Sequence, residues 1–460
     1  MITFDFGGAK DLFPGYGELR VGENTNEAIR TLNGDIIVNS KIQKGGVCAR
    51  ICRKGGWGFS SSPGQDMDSV KSVMKAAADN AAFMASKLKA PEQLLPGDTG
   101  KGSDRFVRRG ERSTQKEKLD FIRSLDSYIA KKYPVLMSRM VALNGFNQER
   151  SLITSDGAEY CSYIPRTHIY IALTVEKDGI PIDLMDTSLG GLMEFEDFLP
   201  KTDDIYQTID KTYETLMKKR EGAYAAAGAK ECILAPDLAG ILAHEAVGHT
   251  VEYDLVRSGS VASELMGVQV ASELVNMTDF AHHAFGELCP VPVFTDDEGI
   301  AAKDAVLIKD GVLRGYMHNR LTAASCGAPP LGNARAFGFE DEPLIRMRNT
   351  CILPGGSKLA DMIASVEDGY YLSHPTNGQA DLTSEFMFGV AMGYEIKKGK
   401  LGRAILSTTV SGVAFDMLKT VTAVSDDLAW LSGGFCGKKQ PASVGMGGPA
   451  IKCRINLGGK

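Results

Sequence analysis

Apolar positions in the first half of the chain follow two different periods. Over residues 68–88, Val70, Val73, Met74, Ala77 and Ala81 fall on one helical stripe, which predicts an amphipathic helix. A second stripe, Leu119, Ile122, Leu125 and Ile129, follows Thr114 and Glu117, which are spaced as a capping box, and Pro134 closes it. A third helix is predicted over 205–219, with Ile205, Ile209 and Leu216 on its inner side. Between the helices the residues become β-branched and aromatic. Residues 47–52 and 135–175 read as strands, most clearly 168–175, and Lys54-Gly55-Gly56 and Lys177-Asp178-Gly179 supply turns. Residues 90–113, rich in Pro, Gly and charge, read as a long connector.

The second half opens with a short strand at 231–234. Pro236 suits the first turn of a helix whose apolar run, Leu238 to Ala243, leads into His244 and His249. Beyond residue 290 the chain is Gly-rich and strand-like, with one further helix near 359–366 and no fixed-period repeat. The small residues at 225–229 mark a boundary. They divide the chain into an N-terminal mixed strand and helix domain, 1–225, and a C-terminal β-rich domain, 226–460, that carries the histidine helix. Strands grouped apart from helices argue for α+β rather than repeated βαβ units.

Composition narrows the function. The chain has 460 residues, is 43% hydrophobic and 23% charged, and carries a net charge of -6, which argues against bulk binding to a phosphate backbone. The basic run Arg105, Arg108, Arg109 and Arg112 reads as a solvated linker. Nine scattered cysteines without zinc-finger spacing fit a reducing compartment; Cys48 and Cys52 read as a small pair on one strand face. The N-terminus lacks the regions of a signal peptide and no apolar stretch reaches the length of a membrane span, so the cytoplasm is the expected location.

The chemistry concentrates at His244-Glu245-Ala246-Val247-Gly248-His249. Imidazole is the commonest zinc ligand, and a glutamate beside the first histidine is the usual base for metal-activated water. The familiar metalloprotease helix spaces its histidines four apart; these are five apart. Five residues of ideal α-helix advance ~500°, which sets the side chains ~140° apart, whereas a π-type turn advances only ~410° and brings them together again. A widened turn is therefore expected, with Gly248 as the place where unwinding costs least. A catalytic zinc takes three protein ligands and leaves one position open. Glu252, one of His282 and His283, and Cys436 are candidates for the third. His168, His318 and His374 read as hydrogen-bonded structural residues. Cys436 lies among glycines, and Lys438 would favour its thiolate.

His244 to His249, followed by Thr250-Val251-Glu252-Tyr253-Asp254, resembles the HExxxH signature of the TldD/PmbA family, and Cys436-Gly437-Lys438 with the Gly-rich 444–449 resembles its C-terminal cysteine motif. Gly55-Gly56-Trp57-Gly58-Phe59, Asp296-Asp297-Glu298-Gly299, Gly311-Val312-Leu313-Arg314-Gly315-Tyr316 and Met347-Arg348-Asn349-Thr350 also match, in the right order over nearly the whole length. Lys439-Gln440-Pro441 departs from the family's Gly-Gln step. The resemblance implies a zinc metalloprotease with His244, His249 and Cys436 as ligands and Glu245 as general base. It implies action on flexible peptides or small unfolded proteins, in a homodimer or a heterodimer with a zinc-less paralogue. Oxyanion donors are sought among the amides of 443–449, Tyr316 and His318. The family's association with DNA gyrase is expected to be indirect, without contact to nucleic acid. The competing readings are a non-catalytic peptide-binding subunit and a metal amidase acting on small molecules.

Overall fold

The computed structural model describes residues 6–88, 95–108 and 110–458, apart from the side chain of Asn377. The fold is α+β. Strands β1 (Tyr16–Leu32), β2 (Asp35–Arg53) and β3 (Gly56–Ser62), helix α1 (Met67–Lys87), strand β4 (Lys101–Arg105), helix α2 (Gln115–Lys132), strands β5 (Ser138–Thr154), β6 (Glu159–Lys177) and β7 (Ile180–Gly191), and helix α3 (Thr202–Arg220) make up the first half. All seven strands form one sheet in the order β3-β2-β1-β5-β6-β4, with β7 also paired to β6. The neighbours are antiparallel except for β4 on β6.

The three helices bury the stripes that the period predicts. α1 buries Val70, Val73, Met74, Ala77 and Ala81; α2 buries Ile122, Leu125 and Ile129; α3 buries Ile205, Ile209 and Leu216. The Thr114–Glu117 capping box is formed in both directions. The turns at Lys54-Gly55 and Asp178-Gly179 have positive φ at both residues, as a two-residue hairpin turn requires.

One expectation falls short and two fail. The long β1–β2 hairpin extends far beyond residues 47–52; the outer part of β2 is largely solvated, Ile37 and Ile42 included, and shows no buried face to read. The connector at 90–113 contains edge strand β4, and its arginines are not a free solvated run. Arg105 pairs with Glu149, Arg108 with Asp197 at 2.6 Å, and Arg112 with Glu194 and Glu196. Residues 89–94 and Arg109 lie outside the described residues. Two helices beyond residue 290, Arg320–Cys326 and Ala414–Lys419, join the expected one at Leu359–Ala364; each is too short to display a period.

The second half builds two larger sheets. One has six strands and includes Met277–Phe280, Asn349–Ile352 and the hairpin Ala429–Lys438/Gln440–Gly448. The other has seven and includes β8 (Gly228–Leu234), Asp368–Ala380, Glu385–Lys397 and Ile451–Leu457. Helix α4 (Pro236–Leu242) follows β8 and runs in the core between them, with Leu238, Ala239 and Leu242 among Val444, Met446, Leu372 and Cys453. Gly240 permits the contact: a Cβ there would stand 2.9 Å from the Met446 carbonyl oxygen. Among the described residues no helix is long and apolar enough to cross a membrane.

Buried ion pairs join the first sheet to the second half. Arg50 meets Glu298 at 2.7 Å, Arg20 meets Asp297 at 3.3 Å and Arg320 meets Asp156 at 2.6 Å. The Asp296-Asp297-Glu298-Gly299 motif is thus a structural clasp. Removing one partner of such a pair strands a buried charge, at a cost of about 3–5 kcal/mol.

Candidate metal centre

The chain runs from α4 into a π-helical turn over Ala243–Gly248 and a 3₁₀ turn over His249–Val251. The His249 amide donates to the His244 carbonyl, an i to i+5 bond. That wider ring is the turn expected from the histidine spacing, and it brings the imidazole centroids to 5.2 Å at 77°. The expected role of Gly248 is corrected. Its φ of -55° and ψ of -48° are ordinary for a helix and need no glycine. Its requirement is space, since a Cβ would fall 2.0 Å from Met347 Sδ.

Cys436 arrives on the strand Ala429–Lys438, and its Sγ stands 3.2 Å from His249 Nε2. The ligand atoms of His244, His249 and Cys436 all lie within 4.8 Å of one another, the only such grouping of three among the described residues. Donors around a tetrahedral zinc, with bonds of about 2.0–2.3 Å, stand roughly 3.3–3.7 Å apart. The triad is close to that spacing. His244 supplies a separate test of fit. It is 1% exposed, and neither ring nitrogen has a hydrogen-bond partner among the described residues. A buried imidazole without partners is costly, and a bound metal would satisfy it. The residues fit a metal.

Glu245 is not part of the triad. Its Oε2 lies 3.8 Å from His249 Nε2, and its side chain keeps about a quarter of its surface exposed (24%). Glu252, weighed above as a third ligand, instead accepts from His249 Nδ1 at 2.9 Å and is itself fully buried. It sets which imidazole nitrogen faces the cysteine.

Electrostatics follow from these contacts. Burial would raise the Cys436 thiol, but His244 and His249 outweigh it and hold it down to about 4. Burial would lower His249, yet its bonds to Cys436 and Glu252 lift it to about 10. Glu252 is held low against its burial by His249, Lys438 and Arg346. These shifts favour a thiolate at Cys436 beside an imidazolium at His249, and a metal held there would take the place of the proton between them.

Lys438, expected to favour the thiolate, is engaged elsewhere, and His244 and His249 are what hold the thiol down. The Lys438 ammonium goes to Asp254 at 2.9 and 3.0 Å, to the Ile345 carbonyl at 2.7 Å and to Glu252 at 3.2 Å. Arg346, not singled out from the sequence, donates to the carbonyls of Cys436 and Gln440, both at 2.7 Å, and so fixes the hairpin that presents the cysteine. Its only sequence signal is its position beside the Met347-Arg348-Asn349-Thr350 match. The Lys439-Gln440 departure sits at the hairpin tip, where Lys439 takes φ of 61°.

The remaining histidines are held elsewhere. His168 contacts Ser432 Oγ at 3.3 Å, His318 contacts Thr322 Oγ1 at 3.3 Å, His374 contacts Ser373 Oγ at 2.9 Å, and His282 and His283 contact each other at 2.8 Å. The Tyr316 hydroxyl is bonded to the Ala262 carbonyl at 2.6 Å. Cys48 and Cys52 are unbridged.

Residues 227–459 match the model of the PmbA/TldA metallopeptidase C-terminal domain, and residues 17–82 match that of the same family's domain 1. A metalloprotease TldD homologue of Buchnera aphidicola (subsp. Schizaphis graminum) is 32% identical over 360 residues, covering 75% of this chain and 73% of its own. A zinc metalloprotease TldD homologue of Saccharolobus solfataricus is 28% identical over 352 residues, covering 75% and 76%. In fold, the chain resembles TldE from Thermococcus kodakarensis, with a TM-score of 0.73 at 16% identity over 98% of both chains.

Proposed function

The chain belongs to the PmbA/TldD metallopeptidase family and is a metalloprotease with a metal cofactor, and we propose that it cuts flexible peptides or small unfolded proteins at a zinc centre held by His244, His249 and Cys436. The observation that carries this reading is the meeting of two imidazoles and one thiolate within 4.8 Å, with a carboxylate beside them that is not bound into the set. A thiolate in the donor set favours zinc over the harder divalent metals. Zinc, when bound, supplies Lewis acidity toward a carbonyl and lowers the pKa of water toward neutrality.

Glu245 is the general base. Its Oε2 takes the proton of the attacking water and returns it to the amine nitrogen that leaves. Glu252 keeps His249 Nδ1 protonated and its Nε2 turned toward Cys436. The thiolate adds negative charge that a third imidazole would not, so the rate depends more heavily on how the substrate is positioned. Pairing with a second family subunit, the same chain or a zinc-less paralogue, belongs to the same reading and is supported by the fold likeness to TldE. Sedimentation at the mass of one chain would remove that part.

The test is Glu245→Gln. Metal content by elemental analysis stays at the wild-type level, while cleavage of a fluorogenic peptide library falls by about 10²–10⁴-fold. Full activity in that variant removes Glu245 from the mechanism. Wild-type cleavage that persists in a strong chelator removes the metal from it.

A further inference from the structure

A second buried charge problem lies away from the metal centre, between the first sheet and the second half. β5 and β6 present Gln148, Arg150, Tyr160, Ser162 and Arg166 to a cavity of about 70 Å³ that is closed by residues 291–297 and Arg335. Arg166 is 4% exposed. Its guanidinium carries five N–H donors. Among the described residues it makes one hydrogen bond, a long one of 3.4 Å to Gln148 Oε1, and its Nε has no partner. Arg335 bonds only carbonyl oxygens, those of Met347 at 2.6 Å and Ser443 at 2.8 Å.

Of the carboxylates at the cavity, Asp297 acts on Arg335 but is shared among several arginines, and none is bonded to Arg166 among the described residues. Asp297 is engaged by Arg20 and by Arg150, the latter at 2.6 Å, and accepts the Ala336 amide. Asp296 accepts three backbone amides, and burial together with Glu298 pushes its carboxyl up toward the neutral form. Arg166 is accordingly drawn down to about 9 by burial and by the charges of Arg335 and Arg150. Arg335 is drawn down to about 10 by burial, Arg346 and Arg150, which outweigh the opposing charges of Asp297 and Asp279. Buried cations without counter-charge are rare because each costs several kcal/mol, and an unsatisfied buried group of this kind calls for a water or an ion.

We propose that this cavity binds one small monovalent anion, of halide or carboxylate size, held by Arg166 and Arg335 and bridging the first sheet to the 291–297 segment. The volume admits such an ion and excludes a peptide chain. The planar fork of Arg166 matches a carboxylate and also accepts a halide. Because the walls come from both halves of the chain, an anion bound there stabilises their contact through mass action.

The test is thermal unfolding of the full chain in sodium formate or sodium chloride, titrated against the sodium salt of a bulky sulfonate at equal ionic strength. In wild type, Tm rises by several degrees and saturates with one or both small anions. The more effective salt tells a carboxylate from a halide occupant. In Arg166→Gln the rise disappears. Should that variant fail to fold, Ser162→Leu, which fills the cavity and leaves both arginines, takes its place and also loses the rise. A wild-type Tm indifferent to both anions overturns the proposal, as does an equal rise in wild type and in a folded variant.

Discussion

Replacing Glu252 by Gln isolates one link between the fold and the metal centre. The side chain is fully buried, accepts from His249 Nδ1 at 2.9 Å and stands 3.2 Å from Lys438 Nζ. Glutamine keeps its shape and leaves an amide oxygen able to take the same proton, but removes the charge that makes the imidazole a stronger donor. Replacing a partner of a ligating histidine typically weakens metal binding by about 10–100-fold, equivalent to ~1.4–2.7 kcal/mol. Lys438 is not stranded by the change, because Asp254 still pairs with it at 2.9 Å. The loss should therefore be specific to the metal, with the folded state retained. The assay is competition for zinc against a chromophoric chelator, with circular dichroism as the check on folding. Asp254→Asn is the control: it disturbs the same lysine without touching His249, and its zinc affinity should stay within about threefold of wild type. A Glu252→Gln affinity within twofold of wild type, or an equal loss in both variants, would falsify the assignment of Glu252 as the group that positions His249.

Two further outcomes follow from packing and titration. Gly248→Ala should destabilise the metal-free protein by about 1–3 kcal/mol in urea unfolding, through the 2.0 Å approach to Met347 Sδ, and Met347→Ala in the same background should recover part of the loss; no rescue would mean that the clash is not the cause. Burial and Arg166 depress His168 to about 4 from the usual 6.5, so the unfolded chain binds the extra proton between those values. Its contribution is present above pH 6.5 and is lost as pH falls toward 4, to an upper bound of about 3–4 kcal/mol, and His168→Gln should flatten stability against pH across that window.

How far the sequence could be read depended on the range of the interactions. α1, α2 and α3 each cover one face of a sheet, so their apolar residues had to repeat every turn, and the buried residues are those of the stripes. The π turn was legible for a local reason too: two imidazoles five residues apart meet only if the turn widens. Cys436 was different. It joins His249 across 187 residues, and composition alone does not separate it from a small buried thiol. Its place among the proposed ligands rests on the family resemblance. The spacing of Glu252 from His249 suits a further ligand as well as a positioning partner, because sequence separation does not say which nitrogen of His249 it meets. Gly248 was marked for backbone freedom when its need is the absence of a Cβ, a fact set by Met347. The arginines of 105–112 looked like a solvated charge run because their acidic partners are remote in sequence.

The proposed metal centre combines two elements that are positioned by one packing interface. Both histidines ride on the π and 3₁₀ turns that continue α4 and the cysteine on a strand, so their relative geometry depends on how that helix sits on that hairpin. It sits at Gly240, close against the Met446 carbonyl, and at Gly448, whose Cβ would fall 3.0 Å from Ala239 Cβ. Met446 and Gly448 belong to the strand Gln440–Gly448, which pairs directly with the strand of Cys436. Helix and thiolate are thus referenced to the same hairpin, and Arg346 fixes its tip from below. Neighbouring residues of a strand point to opposite faces. Cys436 faces the histidines, while Phe435 lies edge-on to Phe146 of the first sheet at 5.5 Å and to Phe337 at 6.5 Å. The N-terminal sheet therefore backs the strand that supplies the thiolate. A change that loosened the Phe146–Phe435 contact, though outside the triad, would reach the metal through one residue of backbone.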